Sequence, residues 1–106
     1  MDKNLAIICD LKKYLQSVIG GKIKDVILFG SRAAHNSSEI SDYDILIVLN
    51  SKYNWKLKSE IIDLCYDIDL KYDIIIDPHI ISVLELNELR GRQPIFSKAI
   101  KSGVYA

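Results

Sequence analysis

Five consecutive apolar residues, Ile45-Leu46-Ile47-Val48-Leu49, leave no polar position on either side of an extended chain. Side chains alternate faces along a strand, so a strand of this composition has to be covered on both of them. A strand from Asp42 to Leu49 is therefore expected at the centre of a sheet, with other elements packed above and below it.

The neighbouring segments supply that cover. From Leu5 to Ile19 the residues Ile7, Ile8, Leu11, Leu15, Val18 and Ile19 fall on one arc of a helical wheel, and Gly20-Gly21 closes the segment. Trp55 to about Leu70 repeats the pattern with Leu57, Ile61, Leu64, Cys65 and Ile68. Two further strands are expected at Asp25–Phe29, stopped by Gly30, and at Tyr72–Asp77, ended by Pro78. Ser31–Asn36 has room for a short helix, and residues 36–41 read as polar loop. Ser82–Arg90 and Pro94–Lys101 read as short helices before a Gly103-Val104-Tyr105 tail. The order implies an α/β chain, a small mixed sheet with helices packed against it.

Composition narrows the class. The 106 residues, 49% of them hydrophobic, suit one domain over 1–106 with one core. Fourteen basic and fourteen acidic residues cancel, which excludes the basic surplus of a general nucleic-acid binder. Cys9 and Cys65 form no metal-binding spacing and are read as two buried free thiols. No stretch approaches about 20 apolar residues, so a soluble, cytoplasmic protein without a membrane segment is expected.

Chemistry concentrates at two places. Phe29-Gly30-Ser31-Arg32 is a strand exit followed by a helix start, where unpaired backbone N–H groups and a hydroxyl can hold an anion. Alone it is ordinary turn chemistry. Asp42 and Asp44, however, stand two apart at the start of the most hydrophobic strand and so share a face, their α-carbons roughly 6–7 Å apart. Two ionised carboxylates that close repel each other, and a divalent cation resolves the repulsion. Oxygen ligands suit Mg²⁺, and two such ions can serve both the attacking and the departing oxygen of a displacement. A third carboxylate is offered by Asp73 or Asp77, of which only one can join, because they would stand about 13 Å apart on a strand. Asp73 is chosen because it opens its strand as Asp44 opens its own, with Asp77 capping a turn before Pro78.

These residues together resemble the minimal nucleotidyltransferases of the DNA polymerase β superfamily: Gly30-Ser31, then Asp42-x-Asp44 beginning one residue after Ser41, then a later Asp-Ile-Ile. The resemblance implies that Gly30 and Ser31, with Arg32 beside them, grip the triphosphate of ATP or another nucleoside triphosphate. It also implies that Asp42, Asp44 and Asp73 hold two Mg²⁺ ions, the third aspartate helping to activate the acceptor hydroxyl. By the same resemblance a stand-alone domain of this size looks like an antitoxin, transferring AMP from ATP to a hydroxyl of a small all-helical ribonuclease toxin. Many relatives carry a second glycine where this chain has Ala34-His35. A non-catalytic antitoxin with the same fold and a homodimeric small-molecule nucleotidyltransferase fit the same residues. His35, Lys71, Arg90 and Arg92 are read as surface charge.

Overall fold

The computed structural model describes residues 2–33, 42–88 and 90–106. Its elements run α1 (Lys3–Ile19), β1 (Ile23–Phe29), β2 (Tyr43–Leu49), α2 (Trp55–Tyr72), β3 (Ile76–Ser82), α3 (Val83–Leu86), α4 (Pro94–Ser102) and β4 (Val104–Tyr105). Single 3₁₀ turns cover Gly20–Lys22 and Arg90–Arg92.

The four strands form one sheet in the order β3-β2-β1-β4. β2 runs antiparallel to β1 and parallel to β3, and β4 is antiparallel to β1, so the sheet is mixed. As its composition demands, β2 is buried on both faces. Ile45, Ile47 and Leu49 join Ile7, Ile8, Leu11 and Leu15 of α1 and Ile61, Cys65 and Ile68 of α2 in one cluster. Leu46 and Val48 face the other way, with Ile27, Ile81, Phe96 and Ala99. Helices α1 and α2 thus cover one face and α4 the other.

Local chemistry sets the helix ends. Asp2 caps α1 by accepting from the Asn4 N–H at 2.9 Å, and Asn54 caps α2 by accepting from Leu57 N–H at 2.9 Å. The two helices are tied where Lys71 Nζ and Tyr72 Oη both donate to Asp10 Oδ2 at 2.6 Å. Val18, expected on the buried arc of α1, is half exposed.

The third strand departs from expectation. Helix α2 continues through Tyr72, and Asp73 becomes its cap in the left-handed region at φ 55°. The strand then starts at Ile76 and includes Pro78, paired with Ile45. Proline is tolerated because β3 is an edge strand, where one side of the backbone has no ladder to complete. Ile75, expected inside the strand, is exposed.

Of the helix expected over Ser82–Arg90, α3 spans Val83–Leu86, capped by Ser82, which accepts from Glu85 N–H at 3.2 Å. Arg90 ties this segment down. It pairs with Glu85 and donates to Tyr53 Oη at 2.8 Å and to the Ile80 carbonyl at 2.9 Å. Gly103 lets the tail turn onto β1, because a Cβ there would lie 2.3 Å from Ile27 Cγ2 and 2.4 Å from the Ala99 carbonyl oxygen. Of the two cysteines Cys65 is buried, its thiol pushed up to about 12 by desolvation, whereas Cys9 is only partly buried; both are free. Ser31–Ala33 form a turn; the rest of the expected short helix and the loop over 36–41 lie outside the described residues. No described helix is long and apolar enough to cross a membrane.

Ile47 is wholly buried in β2, so Ile47→Ala should destabilise the fold by about 2–5 kcal/mol. The control Ile75→Ala, at an exposed position, should stay within about 0.5 kcal/mol of the parent. Urea melts of both variants check this.

Candidate active site

The site forms where β1 ends and β2 begins, on the sheet face covered by α4. Phe29, the last residue of β1, stands opposite Asp44. Gly30 follows with φ 76°, a conformation that favours glycine. A Cβ at this position would lie 2.5 Å from Asp44 Oδ2. The Asp44 carboxylate therefore closes on the Gly30 turn, and any side chain at this position would strain the backbone and push that carboxylate aside. Ser31 is exposed beside the turn.

Arg32 leans back from this turn. Its guanidinium lies 4.4 Å from the Tyr43 ring centroid, and its carbonyl accepts from Asn4 Nδ2 at 3.3 Å. Tyr43, buried on the α1 side, donates through its hydroxyl to Asn4 Oδ1 at 3.0 Å. With Tyr43 turned to the core, Asp44 is left on the opposite side of the strand, whereas Asp42 stands just before the strand and is not among the residues whose ligand atoms converge with those of Asp44. Asp42 is exposed and Asp44 half-buried.

The parallel pairing of β2 with β3 places Asp77 directly opposite Asp44. His79 follows two residues along, on the same face. One ligand atom from each of Asp44, Asp77 and His79 lies within 4.8 Å of the others. His79 Nε2 is 3.4 Å from Asp77 Oδ2 and 3.9 Å from Asp44 Oδ1. That nitrogen is buried without a hydrogen-bond partner among the described residues, and the ring packs on Phe29 at a centroid distance of 5.3 Å. Burial pushes the Asp44 carboxyl above the ordinary carboxylate range. The charges of Asp77 and Asp42 push it the same way, while His79 opposes them.

Asp73, expected as the third carboxylate, is not brought to this cluster. It caps α2, exposed, with its N–H donating to the Asp69 carbonyl. Because the helix runs through Tyr72 and the strand starts at Ile76, the residue that parity and register set beside Asp44 is Asp77. Asp69 holds this start in place by accepting from Ile76 N–H at 3.0 Å.

Beside the Gly30 turn opens a cavity of about 550 Å³, lined by Phe29, Gly30, Ser31, Ala33, Ile95, Lys98 and Ser102. The last three recur at helical spacing, so α4 presents one face to it. Its size is that of a small-ligand site. Sequence reasoning missed both His79 and Lys98. His79 would have been found by placing Asp77 inside the strand, since residues two apart share a face; Lys98 carried no signal of its own. Lys71 and Arg90 are engaged in packing the helices and the segment after β3. His35 and the position of the second glycine lie outside the described residues.

The model of the family Polymerase beta, Nucleotidyltransferase matches residues 10–101. The chain belongs to this family. It is similar to two proteins of Methanocaldococcus jannaschii, each named a "putative protein adenylyltransferase". One is 40% identical over 74 residues, which covers 70% of this chain and 75% of the relative. The other is 40% identical over 79 residues, covering 74% and 70%. This nucleotidyltransferase thus has the mixed-sheet fold expected from its sequence, and its substrate class is the nucleoside triphosphate.

The raised Asp44 carboxyl has a consequence for stability. A folded state that holds this proton more tightly than the unfolded chain loses stability as pH rises through the carboxylate range, and stays penalised above it. In EDTA, Asp44→Asn is therefore expected to raise Tm at pH 7, by an amount that shrinks as pH falls below that range. A lower Tm at pH 7 would show that the ionised carboxylate stabilises the fold.

Proposed function

We propose that this nucleotidyltransferase transfers AMP from ATP to a hydroxyl of a partner protein, with Mg²⁺ held by Asp42, Asp44 and Asp77. The observation that carries the reading is the contact between Gly30 and Asp44, which joins a phosphate-binding turn to a carboxylate cluster. The donor set fits the metal. Carboxylates suit Mg²⁺, and burial and the neighbouring Asp77 hold the Asp44 carboxyl above its ordinary range, a cost that a bound cation would relieve. When bound, the metal would neutralise charge building on the phosphoryl oxygens.

The chain's own residues supply the rest. Backbone N–H groups after β1 and the Ser31 hydroxyl face the triphosphate, and Lys98 brings a cation to the same cavity. Phe29 and Ile95 offer apolar surface to the nucleoside. The acceptor oxygen attacks the α-phosphorus, the bond to the bridging oxygen breaks, and pyrophosphate leaves with that electron pair. The hydroxyl proton passes to a carboxylate of the cluster, with Asp77 in the role expected of the third aspartate.

A protein acceptor is supported by the names of the two relatives. We assign the acceptor to a helical ribonuclease toxin for which this chain, folded as one cytoplasmic domain over 1–106, is the antitoxin. That assignment follows the resemblance to stand-alone minimal nucleotidyltransferases.

Transfer of label from [α-³²P]ATP to the partner tests the reading. Asp77→Asn should lower the rate by more than about a hundredfold, the upper end of what is lost when a mere supporting partner of a metal ligand is removed. Asp73→Asn should label the partner at close to the parental rate. The reverse ranking would return the third carboxylate to Asp73, and absence of transfer from any nucleoside triphosphate would end the catalytic reading.

A further inference from the structure

The proposed metal reading leaves one feature of the cluster unused, the imidazole of His79. Its Nε2 atom is buried although the side chain is about a quarter exposed, has no hydrogen-bond partner among the described residues, and faces two carboxylates. A buried polar atom without a partner is costly, and native structures seldom keep one without a ligand or ion to satisfy it. Neither tautomer resolves the position. With the proton on Nδ1, the Nε2 lone pair faces negative oxygens. With the proton on Nε2, the nearest acceptor is 3.4 Å away, beyond good hydrogen-bond range.

A cation in this space would satisfy all three groups. Two ligands each about 2.1 Å from one ion stand about 3.0 Å apart at right angles and about 4.2 Å apart when opposite. The observed separations of 3.4 Å and 3.9 Å fall within that window. Packing against Phe29 fixes the ring in this orientation.

We propose that His79 is a nitrogen ligand to the cation held by Asp44 and Asp77, so that this position takes a first-row transition-metal dication, such as Mn²⁺ or Co²⁺, in preference to Mg²⁺. Imidazole favours transition metals, whereas Mg²⁺ selects oxygen donors and gains little from a nitrogen. The inference rests on the reading of Asp44 and Asp77 as metal ligands, and adds to it the third ligand and the choice of metal.

The test uses the whole chain with Mn²⁺ and no nucleotide. Pulsed electron paramagnetic resonance should show ¹⁴N coupling to bound Mn²⁺ in the parent, and His79→Gln should abolish it, which also separates His79 from His35. The ratio of Mn²⁺ to Mg²⁺ affinity, measured by titration, should fall about tenfold or more in His79→Gln, with Mg²⁺ affinity little changed, since losing a nitrogen donor costs the transition metal most. A far-ultraviolet melt of the variant checks that it folds; if it does not, His79→Asn takes its place. Mn²⁺ bound without ¹⁴N coupling, in a manner lost on Asp44→Asn, would overturn the role of His79 and leave the carboxylate reading standing. Mn²⁺ binding indifferent to Asp44→Asn would overturn both.

Discussion

Strand β2 is buried on both faces, and the site depends on that. A half-exposed strand can slip by one residue when its faces are chemically alike, but here a slip would exchange the Ile45-Ile47-Leu49 set for Leu46-Val48 against two different helix layers. Register is therefore held by the core. That same register keeps Asp44 opposite Asp77 on one side and opposite Phe29, next to Gly30, on the other. Like charges that would drift apart on a loop are held together by the packing beneath them, and the Asp44 carboxyl is raised first by its burial there and then by the charge of Asp77.

The remaining elements guard the site's edges. Asp69 accepts from the first amide of β3, and Arg90 pins the far end through the Ile80 carbonyl, so both ends of the edge strand are anchored by side chains. On the opposite edge the close approach at Gly103 lets β4 pair with β1 behind α4. Helix α4 can then turn Ile95, Lys98 and Ser102 toward the Gly30 turn while Phe96 and Ala99 bury against the sheet. A triphosphate at the turn would meet carboxylates on one side and an apolar, singly cationic wall on the other.

Much of this was legible in the sequence because it depends on local pattern. The double burial of β2, the two long amphipathic helices, and a Gly30 turn at the exit of β1 all follow from period and spacing. The start of β3 was not legible. Asp73-Ile-Ile-Ile-Asp77 serves equally as strand or as helix exit, and the choice turns on Asp73 adopting a left-handed cap and on β3 being an edge that accepts Pro78. Sheet order decides the second point, and local sequence carries no statement of it. Once the strand is displaced, the carboxylate set opposite Asp44 is that of Asp77, and His79 comes with it.

The most direct test is where metal and triphosphate sit. Crystals grown with Mn²⁺ and a non-hydrolysable ATP analogue, measured at the manganese edge, should give anomalous density between Asp42, Asp44 and Asp77, with the phosphates along Gly30 and Ser31. Manganese at Asp73, or a triphosphate bound away from the Gly30 turn, would contradict the account.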